Sequence, residues 1–226
     1  MLRILALPLV VSFALACASS GYERASATAD RTAAYRDNLV RLREQVALAV
    51  EALRALSENP GDSPRSNKET FETYTRELAN LEAASKRSRQ TYGRMDGHAE
   101  SFFGGWSEDT ARITNADLKH SAEERRAVLQ ANYERLAQGK LEADLALAGF
   151  VGELTDLSLY LEHDLTAAGI ASARSTIEKA FANGATLQDQ LGVQVRATDS
   201  ARAALAPLKD LAPSTQVRGA TSARVR

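Results

Sequence analysis

One stretch constrains the fold of this chain more than any other. From Phe71 to Ile113, the residues Phe71, Tyr74, Leu78, Leu81, Ser85, Ser88, Tyr92, Met95, Ala99, Phe102, Trp106, Asp109 and Ile113 succeed one another at alternating gaps of three and four. That mean spacing falls just short of the period of a straight helix, so a helix that keeps it must wind around partner helices. At 1.5 Å per residue the stretch is a rod of roughly 65 Å. Ser85 and Ser88 fall in the middle of its seam and suggest a polar layer that sets register or partner number.

The partners are legible on either side. Tyr35, Leu39, Leu42, Val46, Ala49, Leu53 and Leu56 form another unbroken alternation, in a helix expected from about Asp30. It should end before the breakers Glu58-Asn59-Pro60-Gly61-Asp62-Ser63-Pro64. Ser66 and Glu69 then read as a capping box for the long helix, which should stop near Thr114-Asn115. Ser121 and Glu124 read as a second box. A third helix carries Leu129, Tyr133, Leu136, Ala143, Leu147, Phe150, Leu154, Leu157 and Leu161, with Leu145, Val151 and Leu159 widening its apolar face. After Leu161 the seam slips. It resumes as Ile170, Ala173, Ile177, Ala180, Gly184, Leu187, Leu191, Gln194, Thr198, Ala201, Leu205 and Leu208. Such a slip is either a turn into a fourth helix, the reading favoured here, or a stutter in one continuous helix.

All five prolines (Pro8, Pro60, Pro64, Pro207, Pro213) lie at element boundaries, in tails or in the leader. Proline costs about 3 kcal/mol inside a helix, so this placement leaves the long helices intact. Glycines at 93, 97, 104 and 105 weaken the long helix, and the pair Gly104-Gly105 is a candidate kink before Trp106. No alternating Val, Ile and Thr run nominates a strand. The expected fold is all-α: long antiparallel helices, four in number, forming an extended coiled-coil-like bundle over residues 29–210.

The leader gives an address. Residues 1–16 combine Arg3, an apolar run from Ile4 to Leu15 and small residues at the end, which is the pattern of a signal peptide too short to span a bilayer. Cys17, the only cysteine, follows Ala14-Leu15-Ala16 directly. It resembles the acylated cysteine of a bacterial lipobox, with Ala14 where that pattern usually has Leu. Ala18 in the next position resembles lipoproteins passed on to the outer membrane. Ala14-Leu15-Ala16 also fits an ordinary secretory cleavage site. Lipidation at Cys17 is the expectation, with residues 17–28 as a disordered tether.

Charge excludes one class of partner. Removing residues 1–16 leaves 27 basic against 29 acidic side chains, which gives no reason to expect nucleic acid. Residues 211–226 are read as a disordered tail, locally basic through Arg218, Arg224 and Arg226.

Two segments carry a family resemblance. Phe102-Phe103, Trp106-Ser107-Glu108, Ile113, Asn115, Leu118, Ser121, Arg125, Tyr133 and Leu136 form the first. Phe150, Leu161-Glu162-His163-Asp164-Leu165, Ala168 and Ile170 form the second. They are similar to bacterial lipoproteins grouped as domain of unknown function family 2959, over roughly Tyr22 to Leu208. Family members typically show Asn at the positions of Asp164 and Thr166. The resemblance implies a fold and an envelope address without adding an activity.

Motifs that would carry chemistry are sparse. Of the three histidines, only His120 stands in the Asp117-x-x-His120 spacing related to di-metal bundles, and it falls in the expected inter-helix turn. No H-E-x-x-H, C-x-x-C, P-loop or G-x-S-x-G pattern occurs. Glu162-His163-Asp164 reads as an end-of-helix cluster and Trp106, beside Phe102 and Phe103, as a core plug. No catalytic, metal or cofactor-binding residues are nominated, and an enzyme is not expected. The leading expectation is a lipid-anchored periplasmic bundle with a structural or protein-interaction role. It would be held at the outer membrane through Cys17, with an envelope protein or a second copy as partner along the helical seam. The alternative is a carrier holding a small ligand, metal or lipid inside the bundle near Trp106 and His163.

Overall fold

A computed structural model describes residues 21–58 and 60–205. Those residues form five helices and no strand: α1 Gly21–Glu58, α2 Pro64–Ala111, α3 Ala116–His163, the short α4 Ala167–Ser172 and α5 Arg174–Leu205. The slip after Leu161 is therefore a turn. α4 is a six-residue helix inside that turn, and the long helices are four, as expected.

The seams close over most of their length as the spacing predicts, while Phe71, Tyr92, Trp106, Asp109, Ile113 and Leu129 stay half-buried. In α1, all seven residues from Tyr35 to Leu56 of the alternation are buried. In α2 the buried series is Tyr74, Leu78, Leu81, Ser85, Ser88, Met95, Ala99 and Phe102. From Ile170 to Leu205 every seam position of the last series is buried. Leu208, Pro207, Pro213 and the basic tail lie outside the described residues, as do the leader and Cys17.

Cross-helix pairs fix the directions. Arg24 meets Asp109 and Gln45 meets Glu77, so α1 and α2 are antiparallel. Arg36 with Asp199 and Arg54 over Phe181 do the same for α1 and α5. Tyr74 with Leu154, and Phe103 with Tyr133, set α2 against α3. Gln194 with Leu136 sets α5 against α3. α1 packs most extensively on α2 and next on α5, α3 leans mainly on α5, and the α2–α3 seam is the thinnest. The result is an up-down-up-down bundle whose 48-residue helices are about 70 Å long.

Four expectations need correction. First, α1 begins at Gly21, nine residues before Asp30, so residues 21–28 belong to the bundle and not to a tether. The seam continues through Thr32 and Thr28, whose hydroxyls donate to the carbonyls of Thr28 and Arg24 and so can be buried. Second, α2 is capped by Ser63, not Ser66. Ser63 and Ser66 form a reciprocal capping box, with Pro64 at the first turn where its missing N–H is harmless. Third, α3 is capped by Asn115, whose side chain accepts from the Leu118 N–H, so Ser121 lies inside the helix. Fourth, Leu145 and Leu159 are 67% and 55% exposed. They do not widen a buried face, because α3 has neighbours only on the α2 and α5 sides.

Two close approaches explain glycines that a helix would otherwise avoid. A Cβ on Gly184 would stand 2.7 Å from Val50 Cγ2, so only glycine lets α5 sit this close to α1 there. A Cβ on Gly139 would stand 2.6 Å from Gln194 Oε1, which is the room this buried amide needs while it donates to the Leu136 carbonyl at 2.8 Å.

Candidate functional site

The two ends of the bundle differ. At the end holding the α1–α2 loop and the α3–α4 turn, the buried side chain of Asn67 clamps both connections. It donates to the Gly61 and Leu165 carbonyls at 3.0 and 2.9 Å and accepts from the Gly61 N–H at 2.6 Å. Asp164 and Thr166 belong to the same end. Asp164 accepts from the Thr166 N–H and hydroxyl, and Thr166 caps α4 by accepting from the Gly169 N–H. Carboxylate and hydroxyl thus do here the capping work for which an asparagine amide oxygen is equally suited. Glu162 and His163 are exposed beside them, the end-of-helix cluster that the sequence suggests.

The opposite end opens into a cleft. No residue of α3 before Tyr133 is buried, so its first seventeen residues stand off from the bundle. The segment His120-Ser-Ala-Glu-Glu-Arg-Arg-Ala offers a core no large apolar side chain. Between it and the ends of α1, α2 and α5 lies a space of about 570 Å³, within the size range of small-molecule sites. Its apolar walls are Ala25, Phe102, Trp106, Ile113, Leu129 and Leu205. Trp106 is half-buried, edge-on to Phe102 at 5.4 Å, and forms a small apolar cluster with Ala29, Leu205 and Phe103. It is a plug on one side and a cleft wall on the other.

The cleft's charges are few. Arg24 and Arg112 each bond one oxygen of Asp109, the former at 2.6 Å. Arg112 and then Arg24 hold the Asp109 carboxyl below its usual range. Arg24 lies flat on α2, where a Cβ on Gly105 would come within 2.8 Å of its Nε. Arg125, exposed on α3, is the remaining charge on the lining.

Trp106 and His163 do not share a site. They sit toward opposite ends, about 50 Å of helix apart, because α3 meets the cleft of Trp106 at Leu129 and ends at His163. His98 is half-buried on α2, its carbonyl receiving the Thr28 hydroxyl at 3.2 Å. His120 is exposed within α3, not in a turn, 3.1 Å from Glu124. Among the described residues no group of three or more His, Cys, Asp or Glu is placed to hold a metal ion. No described helix is long and apolar enough to cross a membrane. Sequence reasoning missed Tyr22 and Ala25 as cleft residues because the hydroxyl positions Thr28 and Thr32 hid the seam's continuation toward them.

A layer of tyrosines lies farther inside. Tyr35 stands edge-on to Tyr92 at 5.3 Å, Lys140 covers the Tyr92 ring at 4.6 Å, and Tyr133 meets Phe103 at 6.0 Å. Burial raises the phenols of Tyr35, Tyr74 and Tyr133 well above their ordinary value and pushes Tyr92 up to about 12.

No curated protein and no solved structure matches the chain. The sequence profile described as protein of unknown function (DUF2959) matches residues 15–203, which takes in every described helix almost to its end. This chain belongs to the DUF2959 family.

Proposed function

We propose that the protein is a lipid-anchored helical rod with a structural or protein-interaction role in the bacterial envelope. It is held at the outer membrane through Cys17, faces the periplasm and carries no enzymatic activity. One observation carries the reading: α1 starts at Gly21, four residues after the lone cysteine. Four residues reach at most about 14 Å, so an acyl group on Cys17 would hold the cleft end of the bundle against the bilayer surface. The Asn67 end then stands about 70 Å away, with charged helix faces between, where an envelope partner or a second copy can be met. Two or three acyl chains suffice for stable anchoring where one does not.

The test is the intact mass of protein from membranes of its native host, beside a Cys17→Ala version. A chain starting at residue 17 and heavier by a diacylglycerol plus an acyl group supports the anchor. An unmodified mass in the soluble fraction overturns it. Crosslinking in living cells then reads the partner, and recovery of no envelope component removes the interaction role. The carrier reading survives only at the Trp106 end, since His163 lies elsewhere and the cleft is there.

A further inference from the structure

Among the described residues, four helix ends leave an apolar space of a size that suits a small ligand. Ala122 faces this one with a single methyl where a leucine would fill part of it. Along Phe102, Trp106, Ala122, Arg125 and Leu129 the lining is helix interior, whose backbone groups are bonded within each helix. A peptide entering it would bury N–H and C=O groups with almost nothing to bond, at a heavy penalty. An acyl chain needs no partners along its length. Charge then selects the head: Asp109 shares its single negative charge between Arg24 and Arg112, and Arg125 adds a further positive charge to the lining.

We infer that the cleft binds a free fatty acid, its chain along Trp106, Phe102, Ile113 and Leu129 and its carboxylate toward Arg125. Tyr22, 52% exposed, lines the cleft as Trp106 does, and such rings with one polar atom suit a boundary between apolar chain and water. This site needs only the cleft. It goes beyond the envelope reading, and the mass measurement on Cys17 can fail without touching it.

Trp106 is the only tryptophan in the chain, so its fluorescence reports on the cleft alone. The experiment titrates the full chain carrying Cys17→Ser, which cannot be acylated there, with 11-bromoundecanoate below its micelle-forming range. Saturable quenching at one ligand per chain is expected. Arg125→Glu, on an exposed side chain, should weaken binding about fivefold, and so should replacing the acid by its uncharged methyl ester. Ala122→Phe should remove the saturable phase while leaving helicity and thermal midpoint unchanged. Quenching that rises linearly without saturation overturns the inference, as does an ester that binds as tightly as the acid. Should Ala122→Phe lower helicity, the Arg125→Glu titration decides alone.

Discussion

Raising the pH should unfold this bundle from its phenols outward. Tyr35, Tyr74 and Tyr133 are 2%, 0% and 7% exposed, and desolvation is the first cause of their raised pKa values. For Tyr133 the negative charges of Asp96 and Glu100 add to it. A phenol in the unfolded chain ionises near 10. The native state holds these protons more tightly, so their stabilising contribution is complete below about pH 10. It is lost as pH climbs from there toward the folded values. Each phenol that stays neutral in the fold favours unfolding by about 1.4 kcal/mol per pH unit above 10. Three of them remove roughly 4 kcal/mol at about pH 11, a large part of the 5–15 kcal/mol a domain has. Tyr92, half-exposed, adds less.

The assay follows helicity by far-UV circular dichroism and tyrosinate by near-UV absorbance through the same titration. Part of the tyrosinate signal should appear only together with loss of helix. Tyr133→Phe supplies the control. Its hydroxyl is buried without a hydrogen-bond partner, so the variant should be more stable by about 1 kcal/mol at neutral pH. At about pH 11 it should gain about 1.4 kcal/mol more. If all six tyrosines ionise near pH 10 while helicity stays intact, the phenols are not where the packing argument puts them.

Asn67→Ala removes three hydrogen bonds that clamp both connections at the far end, and should lower stability by about 3 kcal/mol in urea unfolding. Two alanine substitutions should move in opposite directions in the same assay. At Gly104 nothing lies within 4 Å of an added methyl, so Gly104→Ala should stabilise by about 0.5–1 kcal/mol. Gly184→Ala presses on the short, stiff Val50 side chain and should destabilise by about 1–3 kcal/mol.

The reach and the limits of the sequence have physical causes. The alternation from Phe71 to Phe102 translates almost residue for residue into burial, because a seam enclosed by partner helices must repeat with their geometry. Thr28 and Thr32 defeated the same reasoning at the start of α1, since a threonine that bonds its own helix carbonyl can be buried as if apolar. Leu145 and Leu159 show the converse: leucine identity does not say whether a neighbour is there to cover it. Pro64 beside Ser63 was the readable sign of the α2 cap, stronger than the Ser66 and Glu69 pairing. Trp106 was legible as a place for a carried ligand, but the cleft itself was not. It arises because α3 has no large apolar residue from His120 to Ala127, and such an absence reads the same in a solvated helix.

The fastening of α3 gives the molecule a mechanical character. Its last turns are gripped through Leu165 and by the Tyr74 hydroxyl on the Leu154 carbonyl, at 2.5 Å, while its first seventeen residues are not. The helix is packed from Tyr133 to Leu161 and open only ahead of it, like an arm clamped along more than half its length. The loose arm from Ala116 to Asn132 is about 25 Å long, so a tilt of about 5° at Tyr133 swings its end by about 2 Å.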